Sequence, residues 1–192
     1  MNFLAHIYLS GGDPELSIGN FIADSVRGGD YSYFPPRIAD GIWLHRRIDT
    51  YTDSHPIVKR SKDLIRSEYK HYSSVIVDIY YDHFLAAQWQ RYHDTPLGVY
   101  TRNFYDLLGD HRSILPERIQ QFLPRMIEQD WLTNYSTLEG ITTIFNQMNR
   151  RTGGRGRMNF APVDLVHYYD RLELDFHGFM VELIAYVKEI TP

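Results

Sequence analysis

The chain has 192 residues, of which 43% are hydrophobic and 15% aromatic, and its formal net charge is -4. This composition excludes global disorder and fits one domain with a single sizeable core. The absence of cysteine excludes disulfides and thiolate-held metals, and the mild acidity argues against a nucleic-acid binder.

Helical periodicity dominates, and alternating strand patterns are scarce. MNFLAHIYLSGGD lacks the basic segment of a signal peptide, and its apolar part predicts a short helix over 2–10. A GGDP turn follows, then a helix over about 15–27. RGGDYSYFPP is a loop whose prolines suit a helix start, and a helix is expected over 36–53. Ser54 as cap and Pro56 in the first turn open another, running to about 68. Helices over 71–92, 96–109, 116–130 and 136–150 come next, and a last one over 162–189 is expected to break at Gly178. The Gly/Arg stretch 152–157 reads as a mobile loop. No run of about 18 apolar residues could span a bilayer. The expectation is an all-α, single-domain bundle of about 8–9 helices over residues 1–192, soluble and cytoplasmic, with no membrane insertion.

Within the 71–92 helix, DIYYDHFLAA places Asp78, Asp82 and His83 among apolar and aromatic residues. At about 100° per residue, the two carboxylates fall inside the roughly 120° arc that holds Val75, Ile79, Leu85 and Trp89. Buried carboxylates one turn apart repel unless a cation or a hydrogen-bonding partner offsets them. A Tyr hydroxyl, an Arg or a backbone cap would serve, and so would a metal.

LHRRIDTYTDSHP adds His45, Asp49 and Asp53 at i, i+4 and i+8, followed by His55, so His45 and Asp49 can face one point. His6 is embedded in FLAHIYL, and Asp24 lies near a helix end in GNFIADSVRG. Imidazole and carboxylate donors together suit Mn, Fe, Zn or Mg, and helical bundles build such sites between facing helices. This places the candidate metal centre in residues 1–92 and leaves the helices of 93–192 as support. His167, Asp170, Asp175 and His177 in that second half read as structural.

MNFLAH, GNFIADSVRG, GIWLHRRIDTYTDSHPIVKRS and DIYYDHFLA, in this order, resemble the motifs of the acyl carrier protein phosphodiesterase family. The resemblance is dense over the N-terminal half and looser beyond it. The family is similar to the helical metal-dependent phosphohydrolases of the HD superfamily, although here the adjacent pair runs Asp82-His83, in reverse order. The resemblance implies hydrolysis of the phosphodiester that joins 4'-phosphopantetheine to a serine of holo-acyl carrier protein, with Mn(2+) as the usual metal.

On that reading Asp24, His45, Asp82 and His83 are the expected metal ligands, with Asp49 and Asp78 next. His6, Asp49 and Asp78 are the expected catalytic residues, His6 serving as ligand, water-orienting group or proton donor to the leaving serine oxygen. The acidic carrier protein would dock on basic residues: Arg46, Arg47, Lys59, Arg60 and Lys62 near the centre, and Arg150, Arg151, Arg155 and Arg157 in the Gly/Arg region. Two other readings stay open: a phosphodiesterase of nucleotides or other small phosphoesters, and a non-catalytic helical binding protein whose buried acids bond Tyr and Arg.

Overall fold

A computed structural model describes residues 1–191, and among these no strand occurs. The helices are α1 Phe3–Tyr8, α2 Pro14–Ile22, α3 Pro36–Ser54, α4 Pro56–Tyr69, α5 Ser73–Ala87, α6 Leu97–Asp110, α7 Glu117–Glu128, α8 Trp131–Asn134, α9 Leu138–Arg151, α10 Ala161–His167 and α11 Tyr169–Ile190. Short 3-10 turns at Ala23–Ser25, Lys70–Tyr72 and Trp89–Arg91 trim the ends that the periodicity extends further.

The starts follow local chemistry. Asp13 caps α2 by accepting from the Leu16 amide at 2.9 Å, with Pro14 in the first turn. Pro36 opens α3, as the FPP signal predicts. Ser54 proves to be the last residue of α3, and the cap of α4 is His55, whose Nδ1 accepts from the Ile57 amide at 3.3 Å. The chain also breaks at Tyr168 rather than at Gly178, because Gly178 sits inside α11 with only the Ile57 side chain near it. The 152–157 stretch is bonded as a helix end: Gly154 N–H donates to Asn149 O at 2.8 Å and Gly153 N–H to Arg150 O at 3.0 Å, with Gly153 left-handed at φ +61°.

α5 is buried on nearly every side, from Ile76 through Ala86, and forms the axis of the core. α1, α4 and α11 pack against it, and α2 with α3 closes the side over α1. α2 and α3 approach unusually closely. A Cβ at Gly19 would lie 2.0 Å from the Ile38 carbonyl oxygen, and one at Gly41 would lie 2.3 Å from that of Leu16. Only glycine permits this contact of backbone on backbone, and it brings the end of α2 within hydrogen-bonding reach of the middle of α3. No helix among the described residues is long and apolar enough to cross a membrane.

Candidate active site

Three elements converge where α2 meets α3. α1 contributes His6, the end of α2 contributes Asn20, and α3 contributes His45 and Asp49 one turn apart. The rings of His6 and His45 stack with centroids 4.0 Å apart and planes 19° apart. Asn20, fully buried, anchors both. Its side-chain amide donates to His6 O at 2.8 Å and to Ser10 Oγ at 3.1 Å, which turns Oδ1 toward His6 Nδ1 at 2.7 Å. Its backbone oxygen stands 2.8 Å from His45 Nδ1.

Both partners are oxygens that can only accept, so each histidine carries its proton on Nδ1. When the rings are neutral, both Nε2 atoms present lone pairs, which is the tautomer a metal ligand needs. The two Nε2 atoms meet the Asp49 carboxylate: His6 at 3.2 Å from Oδ1 and His45 at 3.1 Å from Oδ2. Asp24, from the turn after α2, puts Oδ1 3.2 Å from His45 Nε2. His6, His45 and Asp49 each offer a ligand atom within 4.8 Å of the others.

The electrostatics follow from this crowding. Burial, with the nearby charge of His45 second, pushes His6 down to about 4. Burial also works against a charged His45, but hydrogen bonds to Asp24 and Asp49 outweigh it and raise the ring to about 9. Burial opposes ionisation of Asp49, yet the imidazolium of His45 bound to it and the closeness of the His6 ring hold it well below the usual carboxylate range. The hydrogen bond from His45 is the main reason that Asp24 is lowered too. At neutral pH the group is therefore one imidazolium, one neutral imidazole and two carboxylates.

A cavity of about 290 Å³ opens beside the group, lined by Asp24, Asp49, Asp53 and Asp78, with Asn2 and Thr52. Two buried side-chain polar atoms among the described residues have no hydrogen-bond partner, His6 Nε2 and Thr52 Oγ1. His6 Nε2 is near Asp49 but lacks the alignment of a hydrogen bond. One orphan belongs to the His/Asp group and the other to a cavity-lining residue. A divalent cation fits this donor set of two imidazole nitrogens and one or two carboxylates. It would complete His6 Nε2 and offset the acidic lining.

Of the remaining residues expected at the centre, Asp78 lines this cavity, whereas Asp82 and His83 bond other parts of the protein. Asp82, fully buried, accepts from the Asn2 and Leu4 amides at 3.1 and 2.8 Å, so it caps the start of α1. Burial pushes it up to about 7. Asp78 lies 3.1 Å from the Met1 amino group. His83 bonds the Tyr135 carbonyl through Nδ1 at 2.8 Å, with Tyr169 Oη 3.4 Å from Nε2. In the structure the DIYYDHFLAA charges thus have protein partners, and the grouping expected for Asp82 and His83 with Asp24 and His45 is absent.

Of the basic residues, Arg46 donates to the Gly28 carbonyl at 2.7 Å and lies over Tyr31, and Arg47 lies over Trp43. Arg60 is bound to the fully buried Asp175, which also accepts from Ser61. Lys62 pairs with Asp53 at 2.8 Å, and Arg157 pairs with Glu68. Lys59, Arg150 and Arg151 are exposed. Asn20 escaped the sequence reading, although an amide inside LSIGNFI, on an otherwise apolar helix, was the available signal.

Comparison with known proteins bears on this geometry. A family model described as acyl carrier protein phosphodiesterase matches residues 1–183. The chain is 31% identical over 189 residues to the acyl carrier protein phosphodiesterase of Pectobacterium atrosepticum, covering 98% of each chain. It is 32% identical over 187 residues to those of Salmonella agona and Salmonella dublin, covering 96% of each. No solved structure matches it.

Proposed function

The chain belongs to the acyl carrier protein phosphodiesterase family, and from that premise we propose that the centre at His6, His45 and Asp49 hydrolyses the phosphodiester of holo-acyl carrier protein. The products are 4'-phosphopantetheine and the apo carrier. The observation that carries this reading is the pair of Nε2 atoms and the Asp49 carboxylate converging while Asn20 holds both Nδ1 protons.

A divalent cation held by His6, His45 and Asp49, with Asp24 beside them, would supply Lewis-acid polarisation of the phosphoryl group and a more acidic water. Mn(2+) is the ion the family resemblance implies, and Fe, Zn and Mg share the preference for these donors. His6 is held at Nδ1 by Asn20 and keeps an unpartnered, buried Nε2 facing Asp49, so we assign it to holding the ion rather than to protonating the serine oxygen. To Asp24, exposed and lining the cavity, we assign the role of taking a proton from an attacking water. Asp78 and Asp82 act at one remove, by fixing the start of α1 and with it the position of His6.

Exposed Arg47 and Lys59 are the basic residues left near the centre to face an acidic carrier protein. Such contacts are screened over about 8 Å at physiological ionic strength, so turnover at low substrate should fall as salt rises. The test is to incubate the protein with holo-acyl carrier protein and Mn(2+) and to weigh the carrier by mass spectrometry. Loss of the phosphopantetheine mass, prevented by a chelator, is expected. An unchanged carrier overturns the reading, and cleavage of a nucleotide diester in its place would move the activity to small phosphoesters.

A further inference from the structure

On the side of α1 marked by Phe3, a second cavity of about 360 Å³ lies between α7, α8 and α9. Arg118 and Arg125 line it from α7, and Arg150 and Arg151 line it from the last turn of α9. None of its lining residues is acidic. Among the described residues, none of these four guanidinium groups has an ion-pair or hydrogen-bond partner, whereas Arg37, Arg60 and Arg157 each hold a carboxylate. On a chain of net charge -4, four uncompensated cations facing one space repel one another, and an anion entering that space relieves the repulsion.

The rest of the wall narrows the class of anion. Phe122 and Trp131 stack with centroids 5.7 Å apart and planes 14° apart, and present an aromatic surface beside the arginines. Trp131 is fixed by its Nε1–H bond to Gln129 at 3.1 Å. Four guanidinium groups can satisfy several oxygens of one multiply charged group, and a phosphate offers those oxygens in the geometry that Arg recognises. An aromatic wall accepts a planar or apolar body attached to that phosphate. We infer that this cavity is a binding site for a small organic phosphate, with the phosphate between Arg118, Arg125, Arg150 and Arg151 and its organic body against Phe122 and Trp131.

The site is separate in residues from the His/Asp centre and does not depend on which phosphodiester is hydrolysed. Two sources could supply such a ligand, the phosphopantetheine product and an unrelated nucleotide, and the probes distinguish them. Isothermal titration of the full-length protein with 4'-phosphopantetheine, adenosine monophosphate, inorganic phosphate and unphosphorylated pantetheine reads binding directly, so a failure of turnover is a separate result. Saturable binding of at least one of the two phosphate esters is expected, with pantetheine not binding. The Arg118→Ala/Arg125→Ala variant, changed only at exposed positions, should bind that ester about tenfold more weakly or worse. Trp131→Phe should remove any ligand-induced change in tryptophan fluorescence while Trp43 and Trp89 remain. The inference is overturned if neither ester binds, if pantetheine binds as well as its phosphorylated form, or if the double variant binds as tightly as the parent. It is equally overturned if only an acidic protein, apo-acyl carrier protein, binds and does so through these arginines.

Discussion

His6 and His45 come from different helices, yet their stacked rings, 4.0 Å apart, both give their Nδ1 proton to Asn20, one to its side chain and the other to its backbone. A single residue therefore sets the tautomer of two candidate ligands. Asn20→Ala removes the side-chain half of this arrangement and leaves the backbone half. Outer partners of this kind typically contribute about 10–100-fold to metal affinity. Mn(2+) affinity measured by competition with a chelating dye should fall within that range, in protein whose helical circular dichroism is retained. Unchanged affinity would remove Asn20 from the site.

Asp49 and Asp82 are both carboxylates in partly or fully buried positions, but their partners predict opposite phenotypes. Asp49→Asn, at the meeting point of both Nε2 atoms, should abolish turnover and metal binding in protein that keeps its helical circular dichroism. Asp82→Ala leaves the amides of Asn2 and Leu4, at the start of α1, without this acceptor. It should cost about 1–3 kcal/mol for each, read by urea denaturation, while Mn(2+) binding persists. The reverse pattern would return Asp82 to the metal site.

The close crossing of α2 and α3 carries the bond that His45 Nδ1–H donates to Asn20 O. A methyl group at Gly41 meets the Leu16 backbone oxygen at 2.3 Å, and backbone cannot rotate away as a side chain can. Gly41→Ala should destabilise the protein by about 1–3 kcal/mol or more and weaken Mn(2+) binding at the same time. A variant as stable as the parent would mean that the helices separate without cost.

The charges of the centre predict a pH dependence for metal-free protein in chelator. His45 is raised from 6.5 to about 9 in the fold. Its contribution is fully present below 6.5 and is lost as pH rises through 9. Asp82, raised from 3.8 to about 7, likewise favours the fold less as pH rises toward 7. His6, lowered to about 4, has the opposite sense and matters only below 6.5. The urea midpoint should therefore fall between pH 6.5 and 9, by an amount equivalent to on the order of 2 kcal/mol. His45→Asn should flatten most of that slope, and an unaltered slope would assign the loss to other groups.

The sequence by itself determined the helical class, most helix starts and the closeness of His45 to Asp49, because capping, periodicity and i,i+4 spacing are local properties. Pro14, Pro36 and Asp13 act within a turn of where they stand, so their effect is written in neighbouring letters. Only the tertiary structure decided which polar residues share a partner. Asp82 has a helical face as apolar as any ligand position would require, yet its charge meets the amides of α1, whereas His6 and Asp49 meet each other. Periodicity gives the direction of a side chain from its own helix axis and carries nothing about what stands opposite. That depends on the glycine-mediated approach of α2 to α3 and on the packing of α1 against α5, distances set by the whole core.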